Sequence, residues 1–383
     1  MKVVQPIYLD NNATTPCDPA VVAAMLPYFS EWYGNAATGL HPQGRRAARV
    51  IDDAREQTAV LLNARPEEII FTSGATESNN LAILGLGRRA IDGQRKRIVT
   101  TAVEHKAVLE PCQFLDSLGY EVIILPVDTA GRVDLAAAHS AINEHTLLVT
   151  VQAANNEMGT LQPLQQIAAF AHAVGALVHC DAAQAVGKIG VDVMAWDVDL
   201  LSLSAHKFYG PKGVGALYIR NGPRAIPLDS LIYGGGQERG VRSGTSNVPG
   251  IVGLGAAAQL SMILFTEETQ RIEAMRFALE SQLLTTLPGT WVNGANAERL
   301  PNTISLTLPG IEVDALLLGL PEVMMGVGSA CSSGALEPSH VLQAIGLDRS
   351  QSASTIRLSL GRFNSSEEIP LIVTRIAQAL SIP

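Results

Sequence analysis

Lys207 is the residue whose type and position best suit covalent chemistry. It lies in SLSAHKFYGPKGVG (Ser202 to Gly215), directly after an apolar run that predicts a strand. A lysine held at a strand end and partly desolvated can lose its proton and form a Schiff base with an aldehyde. By comparison, Lys188 sits near a turn, and Lys106 and Lys212 fit surface charges. For this motif alone, a solvated loop lysine is the more common case, and it is the alternative interpretation of Lys207.

Asp181 ends another apolar run, ALVHCD, upstream of Lys207. Buried aspartates in core strands are rare unless they are paired. The cationic ring nitrogen of a cofactor would be such a partner, because a nearby carboxylate keeps that nitrogen protonated. The alternative is that Asp181 caps a following helix, with Gln184 as the second half of a capping box.

The segment FTSGATESNN (Phe71 to Asn80) predicts a strand that passes through Gly74 into a helix. The backbone N–H groups of Ala75 and Thr76, the Thr76 hydroxyl and the helix dipole would together bind an anion. An ordinary capped helix start is the alternative interpretation.

His105 follows the predicted strand RIVTT, in the segment VEHKAVL. An imidazole at that edge of a sheet could stack on a flat cofactor and exchange protons near neutral pH. The alternative is a structural histidine that is held by hydrogen bonds.

Cys331 differs from the other cysteines, Cys17, Cys112 and Cys180, because it lies among glycine and serine in GVGSACSSGALEPSH. The four cysteines form no C-x-x-C pair, which argues against a disulfide framework and against a metal site. We expect wide backbone freedom around Cys331, as a thiol nucleophile that travels to a buried cofactor would need. The other three occur in helix-like or strand-like contexts and are expected to be inert. An incidental surface cysteine is the alternative.

Strand-like and helix-like segments alternate between about residues 60 and 220, which predicts an α/β fold with a mainly parallel sheet. Ligands bind such sheets at the carboxyl ends of the strands. Beyond about residue 262 the pattern changes to a long amphipathic helix, Thr266 to Leu287, and isolated strands. We therefore expect a large cofactor-binding domain over residues 15–262 and a smaller α+β domain over residues 1–14 and 263–383. The predicted strands are Glu68 to Ser73, Arg97 to Thr101, Glu121 to Leu125, Leu147 to Val151, Ala176 to Asp181, Asp199 to Ser204, Thr303 to Leu308 and Thr355 to Leu360.

Composition excludes several functional classes. A formal net charge of -9 argues against nucleic-acid binding. GPKGVG lacks the spacing of a P-loop, which argues against an ATPase. The N-terminus lacks a secretory pattern, and the apolar segment Gly250 to Phe265 is shorter than a bilayer span and predicts a buried helix. We expect a cytoplasmic protein without membrane contact.

Nine segments together resemble the signatures of NifS/IscS-type cysteine desulfurases, which are class V, fold-type I enzymes that use pyridoxal 5'-phosphate (PLP). The resemblance extends from about Tyr8 to Phe363 and implies a large domain with a mainly parallel seven-stranded sheet plus a smaller α+β domain. The segments are YLDNNATT, SGATESNN, EHKAVL, NNEMGT, HCDAAQ, SAHKFYGPKG, RSGT, GSACSSGALEPSH and IRLSLGRF.

The resemblance implies a role for each matching residue. Lys207 would be the Schiff-base lysine and a proton shuttle, His105 would stack on the PLP ring and assist proton transfer, and Asp181 would pair with the ring nitrogen. The phosphate would be held by Ala75, Thr76, Ser204, His206 and, from the neighbouring subunit of a homodimer, Thr245. Gln184 and Asn156 would contact the ring oxygen or the substrate, Arg357 would bind the substrate carboxylate, and Cys331 would accept the sulfur; no metal is implied.

The implied reaction converts L-cysteine to L-alanine and leaves the sulfur as a persulfide on Cys331. The sulfur would then pass to an acceptor or scaffold protein, for iron–sulfur cluster assembly or other sulfur-containing cofactors. The chain stops at Pro383, whereas longer relatives carry a tail that docks the iron–sulfur scaffold protein. We therefore expect either no scaffold docking or docking on another surface. The alternatives are a PLP-dependent cysteine or cystine C–S lyase, which needs no protein thiol, and a non-catalytic sulfur-assembly partner.

Overall fold

The computed structural model describes residues 6–327 and 338–380. Its strands form two sheets, one of seven strands and one of five. The α/β class is confirmed, and so is the mainly parallel seven-stranded sheet. The strands are β1 (Ile7–Leu9), β2 (Ile69–Thr72), β3 (Arg97–Thr101), β4 (Glu121–Leu125), β5 (Thr146–Gln152), β6 (Leu177–Asp181), β7 (Leu200–Ser204), β8 (Gly215–Ile219), β9 (Trp291–Val292), β10 (Thr303–Thr307), β11 (Val323–Val327) and β12 (Thr355–Ser359).

The large sheet has the order β2-β8-β7-β6-β5-β3-β4. The strands from β7 to β4 pair in parallel, and β8 runs antiparallel to both of its neighbours. Both faces are covered, because strands such as β6 and β7 are almost wholly buried. The parallel strands therefore bring their carboxyl ends, Asp181 and Ser204 among them, to one edge.

Helices connect and cover the two sheets. They are α1 (Pro19–Met25), α2 (Pro27–Ser30), α3 (Pro42–Leu61), α4 (Ala75–Arg89), α5 (Lys106–Asp116), α6 (Leu135–Ala141), α7 (Leu164–Ala173), α8 (Val248–Thr286), α9 (Val313–Gly319), α10 (His340–Ala344), α11 (Arg349–Ala353) and α12 (Glu368–Leu380). Helix α7 ends shortly before Gly175, which has the positive φ of 71° that favours glycine after a helix.

Helix α8 joins two segments that the sequence pattern treated separately, and it ends just before Pro288 and Gly289. Its small residues allow close packing, since a Cβ on Gly255 would lie 2.7 Å from Cα of Ala54 on α3. Among the described residues α8 alone is long and apolar enough to cross a membrane, yet half of its apolar window is buried in the molecule. The predicted domain boundary at residues 262 and 263 falls inside α8 and stays a prediction.

The five-stranded sheet has the order β1-β11-β12-β10-β9 and mixes parallel and antiparallel pairs. Its core includes Leu279 of α8, Ile304 and Leu358, which are fully buried. A separate cluster around Val149 and Leu201 fills one face of the large sheet. The turn after β1 connects the two sheets. Asp10 forms a β-bridge with Ser359 of β12, and the Thr15 hydroxyl donates to the carbonyl oxygen of His206, just beyond β7. This turn therefore reaches the carboxyl edge of the large sheet.

Candidate active site

Lys207 lies at the carboxyl edge of the large sheet. Strand β7 ends at Ser204, and the 3₁₀ turn Ala205–Lys207 follows it immediately. The Lys207 Nζ donates to the carbonyl oxygens of Asn12, at 2.6 Å, and Ala13, at 3.0 Å. The amine is therefore held in a defined place by the turn after β1.

Asp181 lies on the neighbouring strand, in register with Ser202 of β7. Its buried carboxylate accepts from Nδ2 of Asn79 at 2.7 Å and from the backbone N–H of Ala183 at 3.0 Å. Both donors are neutral, so a cationic ring nitrogen would complement this carboxylate. The capping interpretation is wrong, since turns rather than a helix follow Asp181 and the Gln184 amide donates to the Asn12 carbonyl oxygen at 2.9 Å.

The start of α4 provides a place for an anion. Gly74 is its N-cap, with no side chain that could cap the helix, so the first N–H groups, at Ala75 and Thr76, have no partner within the helix. The side chain of Ser204 faces this turn: a Cβ added to Gly74 would lie 3.3 Å from the Ser204 Oγ. This arrangement is suited to a phosphate.

The two other residues expected at the phosphate differ in their surroundings: His206 bonds a neighbouring side chain, whereas Thr245 is exposed. The His206 Nδ1 and the Thr14 Oγ1 are 3.1 Å apart, and burial followed by the nearby lysines lowers the pKa of His206 to about 4. A neutral imidazole is therefore the form present at neutral pH. Thr245 is exposed in the loop before α8, and its neighbours Gly244 and Ser246 line a small cavity.

His105 is the N-cap of α5, and its Nδ1 accepts from the backbone N–H of Ala107 at 3.0 Å. This bond fixes the ring orientation and assigns any ring proton of the neutral form to Nε2. The structural alternative considered for His105 is thus present as a helix cap. Because the cap occupies only Nδ1, it is compatible with a ring that also faces a ligand.

Arg357 lies on β12 of the smaller sheet and contacts residues of the site. Its buried guanidinium donates from Nη2 to Asp10 Oδ1 at 2.7 Å and from Nη1 to the carbonyl oxygen of Asn156 at 3.1 Å. Its Nε has no hydrogen-bond partner among the residues that the structure describes. A buried donor left in this way suits a carboxylate ligand.

The residues present fit pyridoxal phosphate. The buried Asp181 carboxylate, whose donors are neutral, suits a protonated ring nitrogen. The uncapped start of α4 beside Ser204 suits a phosphate. Lys207 lies in the turn that directly follows β7, the strand that ends at Ser204. The structure thus places Lys207, Asp181 and Ser204 at one sheet edge, as the sequence predicted.

Two residues of the site escaped the sequence interpretation. Asn12 is 1% exposed and bonds with groups from both sheets, including Asn156 and Thr303. Lys188, considered a turn residue, donates to Oδ1 of Asn12 and Oε1 of Gln184. Asn12 lies within the quoted segment YLDNNATT, but nothing local to the sequence indicated what it contacts.

Cys331 lies outside the described residues, so its predicted role stays a prediction. The expectation for Cys112 and Cys180 is supported, because burial raises the pKa of Cys112 to about 12 and that of Cys180 well above its ordinary value. Cys17 was expected in a regular element, but it lies in the loop before α1, and burial raises its thiol pKa too. None of these three thiols is therefore a ready nucleophile.

Comparisons with known proteins agree over nearly the whole chain. It is 46% identical over 373 residues to "Cysteine desulfurase IscS" of Anaeromyxobacter sp. (strain Fw109-5), covering 97% of this chain and 92% of the relative. It is 45% identical to "Cysteine desulfurase" of Rattus norvegicus, covering 97% and 82%. A solved structure titled "NIFS-LIKE PROTEIN" superposes with a TM-score of 0.91 at 38% identity, covering 98% of this chain and 100% of that one. The family model Aminotransferase class-V matches residues 7–372, and the chain therefore belongs to that family.

Proposed function

We propose that the protein is a PLP-dependent cysteine desulfurase that converts L-cysteine to L-alanine and transfers the sulfur to Cys331. The observation that carries the proposal is the 46% identity to a cysteine desulfurase over 97% of the chain. The placement of Lys207, Asp181 and Arg357 around one sheet edge supports the same chemistry.

The cofactor would be held by residues from several elements. Lys207 would bind it covalently, Asp181 would pair with its ring nitrogen, and His105 would stack on its ring. Gln184 and Asn156 would contact the ring oxygen or the substrate. When bound, PLP supplies an electron sink that stabilises negative charge at the substrate carbon. The phosphate would be bound by Ala75, Thr76, Ser204 and His206.

The chain's own residues then orient the substrate and move protons. Arg357 would bind the cysteine carboxylate through its guanidinium, and the backbone of Asn156 fixes that group at 3.1 Å. Lys207 would remove the proton from the substrate α-carbon and return a proton to the carbon skeleton. The Cys331 thiolate would attack the substrate sulfur, so that an S–S bond forms as the C–S bond breaks. The carbon skeleton leaves as L-alanine, and an acceptor later takes the terminal sulfur.

A homodimer with shared sites belongs to the proposal. Thr245 is exposed, as a residue that completes a neighbour's phosphate site must be. Tyr233, in the same loop region, is 81% exposed, which leaves an apolar ring for a partner to cover. Light scattering tests the assembly, and Thr245→Ala should weaken PLP retention without changing the monomer fold.

We also propose a cytoplasmic location. Helix α8 packs against α3 and α1, which supports its role as a core helix of an α/β enzyme. One relative carries the name "Cysteine desulfurase, mitochondrial", from Arthroderma benhamiae. Cell fractionation decides the location.

A product assay tests the central proposal. Wild type, Cys331→Ser and Cys17→Ser are each given L-cysteine and a reductant, and alanine, sulfide, pyruvate and ammonia are measured. Wild type and Cys17→Ser should release alanine and sulfide, whereas Cys331→Ser should bind cysteine and make little alanine. Pyruvate and ammonia from all three would identify a C–S lyase. A protein that shows no PLP absorbance and no turnover would identify a non-catalytic partner.

A further inference from the structure

Lys188 is a second lysine at the site, and its contacts leave its charge uncompensated. Its Nζ donates to Oδ1 of Asn12 at 2.9 Å and to Oε1 of Gln184 at 2.7 Å. Both acceptors are neutral amide oxygens, so neither hydrogen bond offsets a positive charge. Buried ammonium groups normally pair with a carboxylate, because desolvation otherwise disfavours the charged form.

Lys188 and Lys207 bind the same residue. The backbone oxygen of Asn12 accepts from Lys207 Nζ at 2.6 Å, while its side-chain oxygen accepts from Lys188. Burial, then the positive charges of Lys207 and Arg357, hold the pKa of Lys188 well below its ordinary value. Coupling between two charges acts equally in both directions, so a proton on Lys188 must also oppose a proton on Lys207.

Two groups of the described chain that lie near Lys188, His206 and Glu268, do not cancel this coupling. His206 faces the same lysines and is kept neutral, with a pKa of about 4. Glu268 and Tyr209 line a small cavity beside Lys188, but the Glu268 carboxylate is already bound by the Arg362 guanidinium at 2.9 Å. Neither His206 nor Glu268 therefore offsets a positive charge on Lys188, and any proton that Lys188 carries acts on Lys207.

We propose that Lys188 is a positioning residue that sets the proton affinity of the Lys207 nitrogen. The inference rests on the proposed function, in which Lys207 must release and regain a proton. A lysine beside a second amine is a stronger nucleophile and a readier base at neutral pH, because its charged form is disfavoured. Lys188 also holds the Gln184 amide so that its nitrogen, not its oxygen, faces the carbonyl that binds Lys207.

The test uses the PLP-loaded protein without cysteine and follows the absorbance of bound PLP as pH is varied. Lys188→Met keeps an unbranched side chain as far as the Cε position and removes the amine. Its absorbance midpoint should rise by about one pH unit relative to wild type. Lys212→Met is the matched control, because Lys212 is exposed in the loop that follows Lys207. Its midpoint should move by less than about 0.3 units, since solvent screens the charge.

Lys188→Arg gives a second, independent answer. A guanidinium stays charged across the titration, so the midpoint should fall by at least about 0.3 units. An unchanged or lower midpoint in folded Lys188→Met overturns the proposal. If circular dichroism shows that Lys188→Met does not fold, an unchanged or raised midpoint in Lys188→Arg overturns it instead. Because the titration uses no cysteine, it tests the role of Lys188 even if the protein shows no desulfurase activity.

Discussion

The Arg357 guanidinium donates from Nη2 to Asp10 Oδ1 at 2.7 Å, which ties β12 to the turn after β1. The space around this pair is full, since a Cβ on Gly326 would lie 2.6 Å from the same Asp10 oxygen. Asp10 thus fixes one edge of the guanidinium, while Nε is left with no hydrogen-bond partner within the described part of the chain. A positioned guanidinium binds a carboxylate with less loss of side-chain entropy.

Asp10→Ala should therefore raise the KM for L-cysteine about tenfold while kcat changes less than about twofold, as expected when about 1.4 kcal/mol of ground-state binding is lost. Steady-state kinetics of alanine release measure both constants. Asp10→Asn keeps an oxygen acceptor and should raise KM less. Asp116→Ala, at an exposed position of α5, is the control. A KM that stays at the wild-type value in Asp10→Ala would show that Asp10 does not orient Arg357.

Asp181→Asn should weaken the hold on PLP. The neutral amide keeps the size of the side chain but cannot balance a protonated ring nitrogen, so the charge-assisted bond is lost. After dialysis, the variant should retain PLP at least about tenfold less tightly than wild type, as measured by absorbance. Asp116→Asn makes the same chemical change at an exposed site and should retain PLP normally. Equal retention in both variants would refute the pairing of Asp181 with the ring.

Glu104 gives the fold a pH dependence of its own. It is fully buried, and one oxygen accepts from Thr101 Oγ1 and the Gln152 N–H while the other has no partner among the described residues. Burial, with Asp181 adding to it, raises the pKa of Glu104 to about 8. Between its ordinary value and about pH 8 the folded protein keeps a proton that the unfolded chain has released. Stability must therefore fall as pH rises through that range.

Glu104→Gln should remove this loss. The slope contributed by one proton is about 1.4 kcal/mol per pH unit, which is an upper limit because the carboxylate can relax. Urea unfolding at several pH values from 5 to 8.5 measures it, and the variant should gain stability relative to wild type as pH rises. Glu110→Gln, on the neighbouring helix, serves as control. Parallel pH profiles for wild type and Glu104→Gln would contradict the assignment.

Strands and strand-end residues that are marked by a local run of apolar residues were predicted correctly. Strands β3 and β4 have the bounds expected from their apolar runs. Asp181 and Lys207 could be placed because Asp181 ends such a run and Lys207 lies just beyond the end of another. Contacts between distant segments could not be predicted in this way. Lys188 binds Asn12 across 176 positions of the chain, and no local pattern records that proximity. The continuity of α8 was missed for a related reason, because its apolar face changes partner along its length.

Leu358 tests how far the smaller sheet depends on its own core. It is fully buried on β12, opposite Ile304 of β10, in a cluster separate from that of the large sheet. Leu358→Ala removes buried apolar volume and leaves a cavity, so it should lower the free energy of unfolding by about 2 to 5 kcal/mol. Leu318→Ala makes the same change at a side chain that is 85% exposed and should cost less than about 0.5 kcal/mol. Urea denaturation of the two variants and wild type measures the difference. Equal stabilities would mean that the neighbouring side chains close the cavity at little cost.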